Sequence, residues 1–376
     1  MIVNWSIRDI DVRARTFEEW LDAPVDCTSR DPRFEIRRAT PSDFERIFDL
    51  VDTVFDMRRG RAAYEWLYRA NPSGLARCWL VLERCSGALV ATQCRFPWPM
   101  AYGNERIEGE FGGDLATLPR FQRQGLYQLR TEISESHPAQ RRIVVLSAPN
   151  VKSRGAVKKL GRQNTILGPL PFARMPLDFE KVFDSWSWPR DASRTVGAAA
   201  NKVFGFWQSM ALSSADGIRI EELERFDSDI DALTYRCMMT PKFWCPHEAE
   251  FLNWRYLQHP LNSYVAQAAF VGDEVRGYSV VKIDKKSATL MEFVASEEQP
   301  RLAAALLHAA IGLARDAGCQ TLAFFATPSW RFWGLFRRSG FINRSSEIYL
   351  TARCPDRADV SQEENWQLLP GDRDVG

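Results

Sequence analysis

Long apolar stretches, paired cysteines and an excess of charge are all missing from this chain of 376 residues. With 49 Lys+Arg against 48 Asp+Glu the net charge is +1, so no overall field draws the protein to nucleic acid or to an anionic membrane. The apolar run Leu302–Ala314 is interrupted by His308 and Gly312 and falls short of the roughly 20 residues that a spanning helix needs. Eight cysteines occur without a Cys-x-x-Cys pair. They sit in apolar stretches such as Cys78-Trp79-Leu80-Val81 and read as small buried hydrophobes. Cys245-Pro246-His247 offers two metal donors, but nothing nearby completes a set of four, so no metal is expected. The four histidines form no catalytic triad and read as structural. Met1–Ser6 lacks a charged stretch followed by an apolar core, so no signal peptide is visible. These absences point to a reduced, cytoplasmic protein without membrane or nucleic-acid partners. Oligomeric state leaves no trace.

What is present is globular: 45% hydrophobic residues and 26% charged. A length of 376 exceeds what one ordinary core organises, and two domains are expected. Residues 1–32 lack periodicity and read as an N-terminal arm. Residues 33–178 then alternate strand and helix. Phe44, Ile47, Phe48, Leu50, Val51, Val54 and Phe55 form an apolar helical stripe behind the Thr40-Pro41-Ser42-Asp43 start signal. Residues 179–217 read as a linker with a helix inside it. Residues 218–355 repeat the alternation, and 356–376 form a tail.

Two signatures recur in the same order. Trp66-x-Tyr68-x-x-x-Pro72 returns as Trp254-x-Tyr256-x-x-x-Pro260, and Pro149 with Gly161 returns as Pro328 with Gly340, each at unchanged spacing. Their shared order argues for an internal duplication. Trp66 and Trp254 are expected in the cores of the two copies, and Trp330 and Trp333 between them.

The segment richest in chemistry is Gly112-Gly113-Asp114-Leu115-Ala116-Thr117-Leu118-Pro119-Arg120-Phe121-Gln122-Arg123-Gln124-Gly125-Leu126-Tyr127. A strand ends at a proline, a basic loop follows, and a glycine opens a helix. Backbone N–H groups at such a helix start converge on an anion and the helix dipole reinforces them, which suits a pyrophosphate. Gly125 permits close backbone approach, and Arg120 and Arg123 add charge-assisted bonds.

Gln122-x-x-Gly125-x-Tyr127 after a strand resembles the acyl-CoA loop of the GNAT superfamily of N-acetyltransferases, Q/R-x-x-G-x-G/A. Asn150-x-x-Ser153-x-x-x-x-x-Lys159-x-Gly161 resembles that family's later motif on the helix beside the cofactor. The closing Trp366…Gly371-Asp372-Arg373-Asp374 is similar to the tail of some bacterial members. The resemblance covers 34–175 and extends through the repeat to 218–352. It implies an α/β (α+β) fold of two tandem GNAT-like domains, each a mixed, mostly antiparallel twisted sheet flanked by helices. It also implies acetyl-CoA or another acyl-CoA as co-substrate, an acyl transfer to an amine of a small molecule or sugar precursor, and no metal. The cofactor residues it implies are Leu115, Thr117, Gln122, Arg123, Gln124, Gly125, Leu126, Tyr127 and Asn150. The backbone amide of Thr117 would polarise the thioester carbonyl, and Lys158, Lys159 and Arg162 lie near the cofactor edge.

Glu108, Glu110 and Asp114 fall at alternate or near-alternate positions of the strand before the loop and share a face. By resemblance Glu110 is the first choice for the base that takes the amine proton, and Asp114 the second; a solvated strand face is the plain alternative. The chain departs from the family pattern in three places. Tyr127 stands where Gly or Ala is usual. The frequent general-acid tyrosine falls at Val157 and, in the second copy, at Phe336. Glu297-Glu298 occupies the second copy's phosphate loop, where two carboxylates would repel a pyrophosphate, so the second domain is expected not to bind CoA. Two other functions fit the same sequence: aminoacyl or peptidyl transfer of the tandem-GNAT cell-wall type, and non-catalytic acyl-CoA binding.

Overall fold

The computed structural model describes residues 16–22, 29–134, 138–149, 154–155, 165–185, 187–211, 217–238, 240, 242–298 and 300–373. In chain order the first half contains α1 (Phe17–Asp22), β1 (Phe34–Arg38), α2 (Phe44–Phe55), α3 (Arg61–Tyr68), β2 (Arg77–Glu83), β3 (Leu89–Pro97), β4 (Met100–Tyr102) and β5 (Glu105–Ile107). It continues with β6 (Gly109–Thr117), α4 (Leu126–Ser134), α5 (Pro138–Arg141), β7 (Val144–Ser147), β8 (Thr165–Leu167) and β9 (Phe172–Pro176). Two helices follow, α6 (Phe179–Ser185) and α7 (Arg190–Ala211). The second half has β10 (Ile218–Leu223), α8 (Asp229–Met238), β11 (Phe243–Trp244), α9 (Ala249–Leu252), β12 (Ser263–Val271), β13 (Glu274–Ile283) and β14 (Ser287–Ala295). It closes with α10 (Pro300–Asp316), β15 (Thr321–Phe325), α11 (Trp333–Arg338), β16 (Ile342–Arg344) and β17 (Leu350–Arg353).

The α2 stripe packs as its spacing requires, with Phe44, Ile47, Phe48, Leu50 and Val51 buried. Asp43 fixes the entry to this helix by accepting from the Thr40 amide at 2.9 Å, while Arg37 clamps its carboxylate and holds it at a pKa of about 2.

The strands form two sheets in matching order. The first runs β1-β2-β3-β6-β7-β17-β8 and the second β10-β12-β13-β14-β15-β9-β16. Each has one parallel contact, β6 with β7 and β14 with β15, in an otherwise antiparallel ladder. This is the expected mixed, mostly antiparallel architecture, twice over.

The sixth position of each sheet is exchanged. β9 follows β8 in the chain yet pairs with β15 and β16, and β17 follows β16 yet pairs with β7 and β8. Boundaries at 178 and 355 therefore do not separate the sheets, because each half donates its last strand to the other. A strand with both edges paired leaves no sequence mark of which sheet it joins.

Other expectations change for physical reasons. The 179–217 segment is mostly helix. The strand before the basic loop is β6, which runs unbroken through Gly112-Gly113, while β5 just ahead of it pairs with β4 in a small sheet with β11. The arm contributes α1, whose Trp20 is buried edge-on against Trp79. Trp66 and Trp254 stack on each other across the halves at 4.6 Å and 14° rather than sitting in separate cores. Each indole N–H donates to the other's carbonyl oxygen, at 2.8 and 3.0 Å, a reciprocal arrangement that a local twofold axis produces. Trp330 and Trp333 pack inside the second core, on Phe324 and Phe336.

Candidate active site

The parallel ladder between β6 and β7 ends at Gly112↔Ser147. β6 runs on to Thr117 paired only with β3, so the two parallel strands splay apart and leave a gap. Gly112 sits at the apex because a Cβ there would collide with Ser147 Oγ. Just beyond it the β3–β6 register shifts: Cys94 faces Gly113, Thr92 faces Ala116, and β6 carries one extra residue. Asp114 lies in this bulge at φ 41°, a left-handed conformation that bends the strand and aims its side chain. Leu118 N–H donates to Val90 O at 2.9 Å. By strand alternation the backbone groups of Thr117 and Leu115 then face the open edge.

At the mouth, Gly125 adopts φ 77° with open space where a Cβ would stand, and α4 begins at Leu126. The first-turn amides of α4 have no intrahelical acceptor and are available to an anion. Arg123 is also left-handed, at φ 63°. Gln122 folds back to donate to Thr117 O at 3.1 Å, and Gln124 to Arg120 O at 3.0 Å. These two side chains shape the loop and leave its backbone exposed. Leu126 is buried in the core, so only its amide can serve a ligand. Asn150, Val157, Lys158, Lys159, Gly161 and Arg162 lie outside the described residues.

The splay opens a cavity of about 190 Å³, lined by Gly112–Leu115, Tyr127, Val145, Ser147–Pro149, Phe55, Gln93 and Arg95, together with Thr351 and Arg353 of β17. The second half thus supplies part of the wall through its exchanged strand.

Asp114 is a cavity residue. Arg59 grips both its oxygens, at 2.7 and 2.8 Å, and the Tyr68 hydroxyl donates to Oδ2 at 2.8 Å. Burial opposes the Arg59 charge, but bonding to Asp114 more than compensates and raises its pKa. Burial and then the Asp114 charge push the Tyr68 phenol well above its ordinary value, which keeps the hydroxyl a donor. Glu110 behaves differently. Its side chain has no exposed surface and does not line the cavity; Arg77 reaches it at 2.9 Å and Arg95 at 3.4 Å. Arg77 also holds Glu108, at 2.8 Å. The three carboxylates that sequence spacing placed together are therefore separated: two in an arginine cage, one at the cleft.

Sequence reasoning missed Arg59 and Tyr68. The signal was available in the repeat, because Arg59 precedes Trp66 by the spacing at which His247 precedes Trp254. The second half builds a similar trio, with its cation and tyrosine at the same spacing and its carboxylate beside the bulge of β14. Tyr256 donates to Glu292 Oε1 at 2.5 Å, and His247 Nδ1 lies 2.8 Å from the same oxygen. There the gap is filled. Beyond the end of the β14–β15 ladder, Thr327 N–H donates to Leu368 O at 3.2 Å, Gly371 packs on Glu292 and Tyr256, and Asp372 lies 3.1 Å from His247 Nε2. Burial opposes the His247 charge, but Glu292 and Asp372 override it and raise the pKa to about 10. The tail also brings Asp372 to Cys245 and His247, so three possible metal donors lie within 4.8 Å.

No protein-family model and no curated protein matches this chain. Solved structures do match it in fold. A conserved protein of unknown function from Enterococcus faecalis V583, described as a candidate N-acyltransferase, aligns with TM-score 0.60 and 12% identity over 86% of this chain and 73% of that one. A GCN5-related N-acetyltransferase from Anabaena variabilis aligns with TM-score 0.58 and 9% identity over 85% and 72%. Saccharomyces cerevisiae N-myristoyltransferase with bound myristoyl-CoA aligns with TM-score 0.53 and 12% identity over 90% and 82%.

Proposed function

We propose, from the premise that this chain has the GNAT fold, that it is an acyl-CoA-dependent N-acyltransferase whose one active site is the β6–β7 cleft. The observation that carries this reading is the splay beyond Gly112↔Ser147 with a glycine-opened helix at its mouth. The pyrophosphate rests on the amides from Arg123 to Tyr127, and the pantetheine arm runs along the open edge of β6 at Leu115 and Thr117. The Thr117 amide polarises the thioester carbonyl, so the acyl carbon lies near Asp114.

A neutral amine attacks that carbon, the C–S bond breaks, and the CoA thiolate leaves. Asp114 takes the role first given to Glu110, because Glu110 lies behind Arg77 and Arg95 and Asp114 faces the cleft. Arg59 and Tyr68 orient the Asp114 carboxylate, which receives the amine proton directly or through water. Thiolate is a fair leaving group, with an ordinary pKa of about 8.5, so water suffices to protonate it. The acceptor is a small-molecule amine. No described helix is long and apolar enough to cross a membrane.

Thiol release from acetyl-CoA with a panel of amines, amino sugars and peptides tests the reading. Turnover lost in Asp114→Asn supports it. Calorimetric binding of acetyl-CoA without thiol release for any acceptor assigns a non-catalytic acyl-CoA-binding protein instead.

A further inference from the structure

The tail does more than fill the gap of the second half: it completes a cluster of metal-type donors that chain order keeps apart. Cys245 and His247 follow β11, and Asp372 arrives from the closing turn, Pro370–Asp372. All three residues are buried, and the Cys sulfur, a His nitrogen and a carboxylate oxygen lie within 4.8 Å of one another. His247 Nε2 and Asp372 Oδ1 are 3.1 Å apart, yet each is buried without a hydrogen-bond partner. Two buried polar atoms that approach without bonding carry a cost that a shared third atom removes.

The far side of each of these groups is already held. His247 Nδ1 lies 2.8 Å from Glu292 Oε1, which accepts from Tyr256 at 2.5 Å, and the imidazole stacks on Phe251 at 5.0 Å. Asp372 Oδ2 accepts from the Leu369 amide at 2.6 Å. A histidine backed by a carboxylate and a carboxylate fixed through its other oxygen are the supports that metal ligands need. Burial, then the Asp372 charge, push the Cys245 thiol well above its ordinary value, and a divalent cation between the two groups favours the thiolate instead.

We propose that Cys245 Sγ, His247 Nε2 and Asp372 Oδ1 bind a zinc ion that ties the tail to the second half. At bond lengths of about 2.0–2.3 Å a tetrahedral zinc spaces its ligand atoms about 3.4–3.6 Å apart. The observed separations, 3.1 Å for one pair and no more than 4.8 Å for any, bracket that spacing. A thiolate disfavours magnesium and calcium, and thiolate plus carboxylate balance the two charges of zinc. Thr234 and Gln367 line the same pocket and carry oxygens for the fourth position. Binding releases the Cys245 thiol proton and the Nε2 proton to solvent, so the imidazolium between Glu292 and Asp372 is the metal-free form. Cys245-Pro246-His247 is thus part of a site that local spacing does not complete, because its third donor lies in the tail.

Metal analysis of the full chain, produced without an affinity tag in zinc-supplemented medium, tests this. About one zinc per chain is expected, and chain produced with cobalt in place of zinc should show thiolate-to-Co2+ charge-transfer absorption. Cys245→Ser should lose both signals, with circular dichroism checking that it folds. Asp372→Asn keeps the thiol and should weaken zinc binding about tenfold or more against a competing chelator. Less than about half a zinc per chain in the wild type, a cobalt form without that absorption, or undiminished metal in either folded variant would overturn the site. The wild-type measurements stand whether or not the variants fold, and thiol release reads acyl transfer separately.

Discussion

Both halves place a cation and a tyrosine at the same spacing and a carboxylate at the strand bulge beside them, and only one of these trios faces open space. In the first half Arg59, Tyr68 and Asp114 border a cavity. In the second, His247, Tyr256 and Glu292 are sealed by residues 368–372 of the tail. The backbone beneath is alike, with a parallel pair that separates and a bulge beside the carboxylate. Architecture alone therefore does not make a site. What differs is what enters the gap: the tail in one half, and in the other a wall completed by the partner half's β17.

The largest expected effects concern the joint between the halves. Trp66→Ala or Trp254→Ala should each cost about 3–5 kcal/mol of stability, since each removes a buried indole and, with its N–H, the donor that the partner's backbone carbonyl accepts from. Denaturant unfolding of both variants and of the double variant measures this. The double variant should lose much less than the sum, because the two rings report one interaction; full additivity would break the symmetric picture.

Asp114→Asn should lower kcat by about 100-fold or more and, because it leaves the half-buried Arg59 without its carboxylate, also cost stability, whereas Glu292→Gln should cost stability and spare kcat per folded molecule. Steady-state kinetics beside thermal unfolding separates the two. Glu110→Gln belongs with Glu292→Gln on this account, because it leaves Arg77 and Arg95 buried without their shared carboxylate. Tyr127→Phe should lower kcat less than Asp114→Asn does, less than about tenfold.

The smallest effect is in pH. The His247 pKa rises from its ordinary 6.5 to about 10 on folding, so its contribution to stability is complete below about 6.5 and is lost as pH rises towards 10. The Tm difference between wild type and His247→Asn should shrink across that window. A difference that stays constant would mean that the tail is not held by a charged imidazole.

Much of this fold was legible in the chain because local physics wrote it: the α2 stripe, the strand before a basic loop, and the glycine that opens α4. The repeat was legible from its Trp-x-Tyr spacing. The exchange of β9 and β17 was not, since a fully paired strand looks the same whichever sheet receives it. Nor was the burial of the tail, because Gly371 and Asp372 are polar-segment residues that become interior only when Glu292, Tyr256 and His247 meet them. At the site, the residue types at 108, 110 and 114 were readable but not their fates. Arg77, Arg95 and Arg59 lie on other elements, and it is their placement that makes Glu110 a buried ion-pair member and Asp114 a cleft residue.

The central claim is that one half holds acyl-CoA and the other is closed to it. A crystal structure of the full chain with CoA tests this most directly. The account predicts one cofactor per chain, with its pyrophosphate on the Arg123–Tyr127 amides and its pantetheine arm between β6 and β7. CoA between β14 and β15, with the tail displaced from Glu292, would contradict it.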